Sequence, residues 1–410
     1  VTSLAGVFAR SPGKQHDWAE FRGPRRDNKS PDTNLAKRWP DGGPKLIWKA
    51  GAIGHGWAGV SIASGRLYTA GAIDGKTAIT SLDLAGKRIW QVTTAPVFKG
   101  SFPHARGTPT IVAGRLYHIN GSGHAVCLDA AAGKRIWAVD TIDRFDGRLS
   151  LWGVSESLLV VGRHVICTPG GEKVALAALD KDTGKTVWTC TGLGDKAAYT
   201  TPILVAHGGL RQVVTITGNF AVGASLDTGR LLWKYPHKVP YEANCVTPVH
   251  VDGQLVLSGT WGRGATLLKL NVSGKSCGVK ELWRTKALDN EHGGIIVVDG
   301  HIYGRADGDH KNRRMMCLDL KTGKTMWSTP QLAGKRTSTL AFADGMFYVM
   351  TDQGQVALVR PNPKRLEVVS SFNLPKGGKG PAWAHLVICN GRLYIRHGEF
   401  LYVYDVRRKA

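Results

Sequence analysis

The chain has 410 residues, 42% of them hydrophobic and 21% charged, which is enough to bury a large core and excludes a disordered tail. Glycine stands out at 52 residues, about twice its usual share, without the G-X-Y period of collagen; many tight turns between short strands are expected instead. The net charge of +23 favours acidic partners, but the cations are spread along the chain, and their short clusters (Arg22-Gly-Pro-Arg25-Arg26, Lys311-Asn-Arg313-Arg314, Arg407-Arg408-Lys409) read as solvated loop or terminal surface, so nucleic acid is not expected as a partner.

Residues 1–44 read as an extended, Pro- and Gly-rich lead-in, with Trp18 and Phe21 docking on the folded body of the protein. Residues 1–17 hold no signal-peptide core, so a signal peptide is expected to be absent from this chain. No apolar run approaches 18 residues, so no transmembrane helix is expected.

From residue 45 a repeat takes over. Trp48, Trp90, Trp137, Trp188, Trp233, Trp283 and Trp327 are separated by 42, 47, 51, 45, 50 and 44 residues. Most follow one phrase, such as Leu82-Asp83-Leu-Ala-Gly86-Lys87-Arg-Ile-Trp90 or Leu318-Asp319-Leu-Lys-Thr-Gly323-Lys324-Thr-Met-Trp327. A second phrase precedes it, as in Gly65-Arg-Leu-Tyr68, Gly114-Arg-Leu-Tyr117 and Gly391-Arg-Leu-Tyr394. In both, glycine supplies a positive-φ turn residue and the first phrase adds an Asp whose carboxylate caps the turn, so each marks a hairpin. Each repeat is therefore about four antiparallel strands, too little to bury both of its faces alone, and a period of 40–50 residues with four strands predicts a propeller blade. The recurrent Trp is expected to pack between blades.

Seven complete sets run roughly over 52–90, 100–137, 150–188, 196–233, 242–283, 291–327 and 336–375, the last with Val368-Val369-Ser in place of the Trp phrase. Residues 382–406 supply only three strands, and Lys45-Leu-Ile-Trp48-Lys is a strand without predecessors. An all-β, eight-bladed propeller over 45–410 is expected, its last blade completed by the N-terminal strand, which removes free sheet edges.

The Leu-Asp-x-x-Thr-Gly-Lys-x-x-Trp phrase on an eightfold repeat resembles the tryptophan-docking repeat of quinoprotein (PQQ-type) propellers over residues 45–406. Trp18-Ala-Glu-Phe-Arg-Gly-Pro24, Arg106-Gly-Thr-Pro109, Trp152-Gly-Val-Ser-Glu156, Thr168-Pro-Gly-Gly171, His292-Gly-Gly294 and Trp383-Ala-His385 look closest to bacterial PQQ-binding-like β-propeller repeat proteins, often named polyvinyl alcohol dehydrogenase-like; the BamB lipoprotein family shares the architecture. The resemblance implies a periplasmic or secreted place in the bacterial envelope. It leaves function open, because one propeller hosts enzymes, scaffolds and ligand binders.

In a propeller the loops that lead into the innermost strands converge on one mouth of the axial channel. Here they carry His55-Gly-Trp57, His104-Ala-Arg106, Trp152-Gly-Val-Ser-Glu156, Ala198-Tyr199, Asn244-Cys245, Glu291-His292, Lys335-Arg336 and Trp383-Ala-His385. Trp57, Arg106, Trp152, Glu156, Tyr199, Asn244, His292, Trp383 and His385 are thus the axial-pocket candidates, able to hold a protein partner, a small molecule or a glycan. The alternative is a channel plugged by stacked, hydrogen-bonded side chains. If an enzyme, the family resemblance implies a PQQ-dependent alcohol dehydrogenase with calcium, whose parts Glu156, Asn244, Trp152, Trp261, Trp383 and Arg106 could supply. This chain lacks the adjacent Cys pair of those enzymes and is shorter than they are. A binding or scaffold protein, monomeric and without a cofactor or bound metal, is therefore the expected reading.

Two further motifs are weak. Gly274-Lys-Ser276-Cys-Gly278 matches G-x-S-x-G but falls in a hairpin instead of a strand-turn-helix, and Asp307-Gly-Asp309-His310 lacks the rest of a calcium loop and reads as an exposed hairpin tip. The seven cysteines form no C-x-x-C, and Cys127 and Cys317, each just before Leu-Asp, read as small buried hydrophobes.

Overall fold

The computed structural model describes residues 16–306 and 312–409. The Asp307–His310 tip and the first fifteen residues of the lead-in lie outside the described residues. The architecture is an eight-bladed propeller of antiparallel sheets, each a meander of strands in chain order from the axis outward. Blades 1 to 7 span residues 61–96, 110–140, 159–189, 203–236, 249–285, 295–329 and 338–373. Blade 8 consists of Val387–Cys389, Arg392–His397 and Phe400–Asp405, with Lys45–Ala50 as its outermost strand, so the ring closes as the repeat count predicts. Innermost strands such as Ser61–Ala63 are buried throughout, whereas the outermost Arg88–Pro96 has no buried residue. The core sits between blades: Tyr117, Cys127 and Trp137 of blade 2 pack on Val165, Cys167 and Leu179 of blade 3.

Tryptophan does the docking. Trp90 donates its indole N–H to the Ala130 carbonyl of the next blade at 3.1 Å, and Trp137, Trp188, Trp283 and Trp327 repeat the contact with Lys181, Leu226, Leu320 and Asn362. The glycine of the next turn makes room. Gly133 has φ +71°, and a Cβ there would lie 2.9 Å from the Trp90 ring, so the residue serves both a left-handed turn and a close ring contact. Trp233 departs from the pattern. Blade 5 has Ser273-Gly274 where blades 1 to 4 and 6 have the Asp phrase, and Trp233 bonds Gln212 of its own blade at 2.7 Å. Around the axis, inner-strand hydroxyls link neighbours: Gly59 donates to Thr108 Oγ1, Thr108 to Ser157 Oγ and Ser157 to Thr201 Oγ1, each at 2.9–3.0 Å.

The lead-in is a plug, a finding that corrects the reading of its basic cluster as solvated surface. Trp18, fully buried, pairs with Ile62 of blade 1. The chain then crosses the axis. Arg22 and Arg26 are 2% and 3% exposed. Arg26 donates to the carbonyls of Ser157, Leu158 and Pro202 on blades 3 and 4 and to the Glu20 carboxylate, while Arg22 Nη2 reaches the Ile295 carbonyl of blade 6 at 2.7 Å. Lys29–Ser30 adds a fifth, parallel strand beside Ser338–Ala343 of blade 7. The physical reason is that inner strands aim backbone carbonyls into the channel, and a fully charged fork of N–H donors satisfies several of them at once. Only Arg25 of the cluster is solvated.

Candidate functional site

The channel mouth on the side of the loops that lead into the inner strands is a cup of about 450 Å³. Each of eight loops contributes. Trp57, Arg106, Trp152, Tyr199, His292, Trp383 and His385, seven of the nine predicted residues, line it. Phe102, Ser155, Ala243, Cys245, Glu291 and Arg336 from the same loops complete the wall, with Arg313 from blade 6 and Phe21 from the plug.

One side of the cup is an aromatic stack. His292 lies flat on Trp383 with centroids 4.8 Å apart and an interplanar angle of 19°. Trp57 and Phe102 each approach Trp383 to 5.3 Å. His55 and His104, rings 3.9 Å apart, stand behind Trp57 outside the lining. On the other side Trp152 packs on Tyr199 at 5.6 Å and donates its backbone N–H to the Tyr199 hydroxyl at 3.2 Å. Arg106 ties this wall to the rim by donating to the carbonyls of Trp152, Ser101 and Phe102. Burial lowers its guanidinium to about 10, so it remains a cation at neutral pH. At the floor His385 bonds the His292 carbonyl at 3.1 Å and meets Phe21 edge-on at 5.0 Å. Burial, reinforced by Arg22, pushes His385 down to about 3 and keeps the ring neutral. The indole N–H groups of Trp57 and Trp383 are buried and have no partner among the described residues, which leaves the stack two donors within them. Three arginines face one carboxylate, Glu291, which makes the cup aromatic and cationic.

Two predicted residues lie elsewhere. Glu156 is 1% exposed, and its carboxylate accepts the Thr168 backbone N–H at 2.9 Å and the Thr168 hydroxyl. Burial raises it to about 7. Asn244 is fully buried and donates to the carbonyls of Thr217, Gly218 and His237. In extended backbone successive side chains alternate sides, so Ser155 and Cys245 face the cup and their neighbours face the blade. Trp261 packs against Tyr241 at 5.4 Å, outside the lining. Phe102 and Arg313 were missed by the loop alignment, and Phe21 was expected only to dock on the ring.

A family model described as outer membrane protein assembly factor BamB matches residues 75–329, more than half of the chain. This protein belongs to the BamB family. The BamB of Kangiella koreensis is 30% identical over 139 residues, a match that spans 32% of this chain and 32% of that relative's length. The structure is similar to the crystal structure of BamB from Moraxella catarrhalis, with TM-score 0.61 and 16% identity over 89% of this chain and 98% of the other. It is also similar to quinohemoprotein alcohol dehydrogenase from Comamonas testosteroni, with TM-score 0.66 and 13% identity over 96% and 81%. At these identities the two structural likenesses are of fold.

Within this BamB-family ring six of the seven cysteines are buried, and Cys245 stands at the cup wall. The Gly274–Gly278 stretch is the tip and flank of the hairpin between Gly264–Ser273 and Ser276–Thr285, with no helix after it, so Ser276 has no nucleophile elbow. No group of three or more His, Cys, Asp or Glu suited to a metal ion occurs among the described residues, and no helix among them is long and apolar enough to cross a membrane.

Proposed function

We propose that the protein is a non-catalytic binding scaffold of the bacterial envelope, whose axial cup receives a side chain of a protein partner or a small ligand. The observation that carries this reading is the cup itself: it is closed below by the plug, walled by aromatic rings and cationic at its edge. Its relatives carry the name of assembly factors. Leu149, Leu151 and Tyr241, 41%, 57% and 63% exposed, stand in the loops that lead into blades 3 and 5 and extend the apolar surface beyond the cup.

The alternative, a PQQ-dependent dehydrogenase, does not fit the residues present. A calcium-bound quinone needs free carboxylate and amide oxygens beside the ring. The Glu156 carboxylate is already bonded to Thr168 and, raised to about 7 by burial, is only partly ionised at neutral pH, and Asn244 lies outside the cup lining, buried in its blade where its amide nitrogen donates to three carbonyls. The test is direct. The purified protein is incubated with PQQ and calcium, and quinone absorbance and dye-coupled alcohol oxidation are recorded after gel filtration. Neither retention nor turnover is expected; stoichiometric quinone with turnover overturns the scaffold reading.

A further inference from the structure

In every blade one extra residue bulges from the outermost strand immediately before the docking position, and in every blade it is apolar. The register slips between Leu46 and Trp48, between Arg88 and Trp90, and between Arg135 and Trp137, leaving Ile47, Ile89 and Ile136 unpaired. Leu282 and Met326 occupy the same place in blades 5 and 6. The bulge turns the indole toward the next blade and turns the extra residue outward. An outward position on an edge strand calls for a polar side chain. Yet Ile47, Ile89, Ile136, Leu282 and Met326 are 37–43% exposed. Only Val187, Leu232 and Val369 in blades 3, 4 and 7 are half covered by neighbours.

A second regularity accompanies the first. Two residues before each of the five exposed apolar side chains stands an exposed lysine: Lys45, Lys87, Lys134, Lys280 and Lys324. None of these ammonium groups is paired with a carboxylate among the described residues. The Asp of the turn is not available to them: Asp83, for example, points its carboxylate at the backbone N–H groups of Ala85 and Lys87. Lys185 and Arg230 continue the series in blades 3 and 4, and Glu367 breaks it in blade 7. The ring thus carries, near the face opposite the cup, a circumference of alternating cations and exposed aliphatic groups.

We propose that this rim is a docking surface for a bilayer rich in anionic lipid. Lysines at the headgroup level are attracted by the negative surface, and short aliphatic side chains beside them enter the boundary of the acyl region. Pairs on neighbouring blades lie side by side, so adjacent ones can meet a flat surface together; a nucleic acid would call for a line or groove of cations and would leave the aliphatic half of each pair without a role. The proposal is independent of what the cup holds.

The test is co-sedimentation of the full chain with vesicles of phosphatidylcholine alone and of phosphatidylcholine with phosphatidylglycerol. Two variants accompany it, K45E/K87E/K134E/K280E/K324E and I47S/I89S/I136S/L282S/M326S, each checked for an unchanged thermal midpoint. Pairs of substitutions in blades 1 and 2 alone serve if a full set unfolds. The wild type is expected to bind only the anionic vesicles, and each variant set to lower the partition coefficient at least tenfold. No binding to anionic vesicles overturns the proposal. So does full retention by the serine set, which reduces the contact to nonspecific charge, or preferential binding of a DNA duplex over the vesicles.

Discussion

Trp48 donates its indole N–H to the carbonyl of Leu84 at 3.0 Å, and its ring rests on Gly86. Trp48 belongs to blade 8 and Leu84 to blade 1, so a side chain near the start of the sequence joins the last blade to the first.

Truncating it tests closure. Trp48→Ala removes a large aromatic from the seam and is expected to cost about 3 kcal/mol, as for other aromatic truncations at packed sites. Urea unfolding measures the loss. Gel filtration is expected to show association through the loosened edge. A variant as stable and monodisperse as the parent contradicts the seam.

The plug has its own test in two neighbouring arginines. Arg26→Met leaves three buried carbonyls and the Glu20 carboxylate without their donor, and a loss of about 3 kcal/mol or more is expected. Arg25, exposed and paired among the described residues with Asp27, is the control; Arg25→Met is expected to change stability by about 0.5 kcal/mol or less. Equal effects at the two positions would mean that the plug does not depend on the Arg26 fork.

Glu156 sets a pH limb. Burial raises its carboxyl from near 4.5 to about 7, so between those values the folded protein keeps a proton that the unfolded chain has released. Stability from this group is full below about pH 4.5 and falls as pH rises to about 7, by a total on the order of 3 kcal/mol. The buried histidines act in the opposite direction. Desolvation lowers His118 to about 4 and His237 to about 3, so their contribution is full above about pH 6.5 and is lost as pH falls toward those values. Because the histidines oppose Glu156 below about pH 6.5, Glu156→Gln is expected to enlarge the gain in stability from pH 5 to 8 relative to the parent and to leave the acid limb intact, as read by thermal midpoints across that range. An unchanged slope would remove Glu156 as its source.

The ring was legible because its signals are covalently local. A Trp, an Asp-capped turn and a Gly with positive φ recur within ten residues of each other, and their spacing alone yields the blades and the closing strand. The cup was legible to the resolution of a loop. The alignment named seven side chains that line the cup, but it could not tell residue 155 from 156 or 244 from 245, because which neighbour faces the axis depends on local backbone twist. Arg22 and Arg26 were misread for a different reason: the carbonyls they satisfy lie 131 to 273 residues away, and nothing near them in the chain signals that need.

The crossing of the axis by residues 18–30 imposes an order on biogenesis. Those residues are synthesised before their partners on blades 3, 4, 6 and 7, and Lys45–Ala50 waits for Phe400–Asp405. A nascent chain can stack blades as they emerge, but ring and plug reach their final pairing only once Phe400–Asp405 has been made. Until then the buried arginines and an open strand edge remain accessible, a window in which a chaperone can hold the chain.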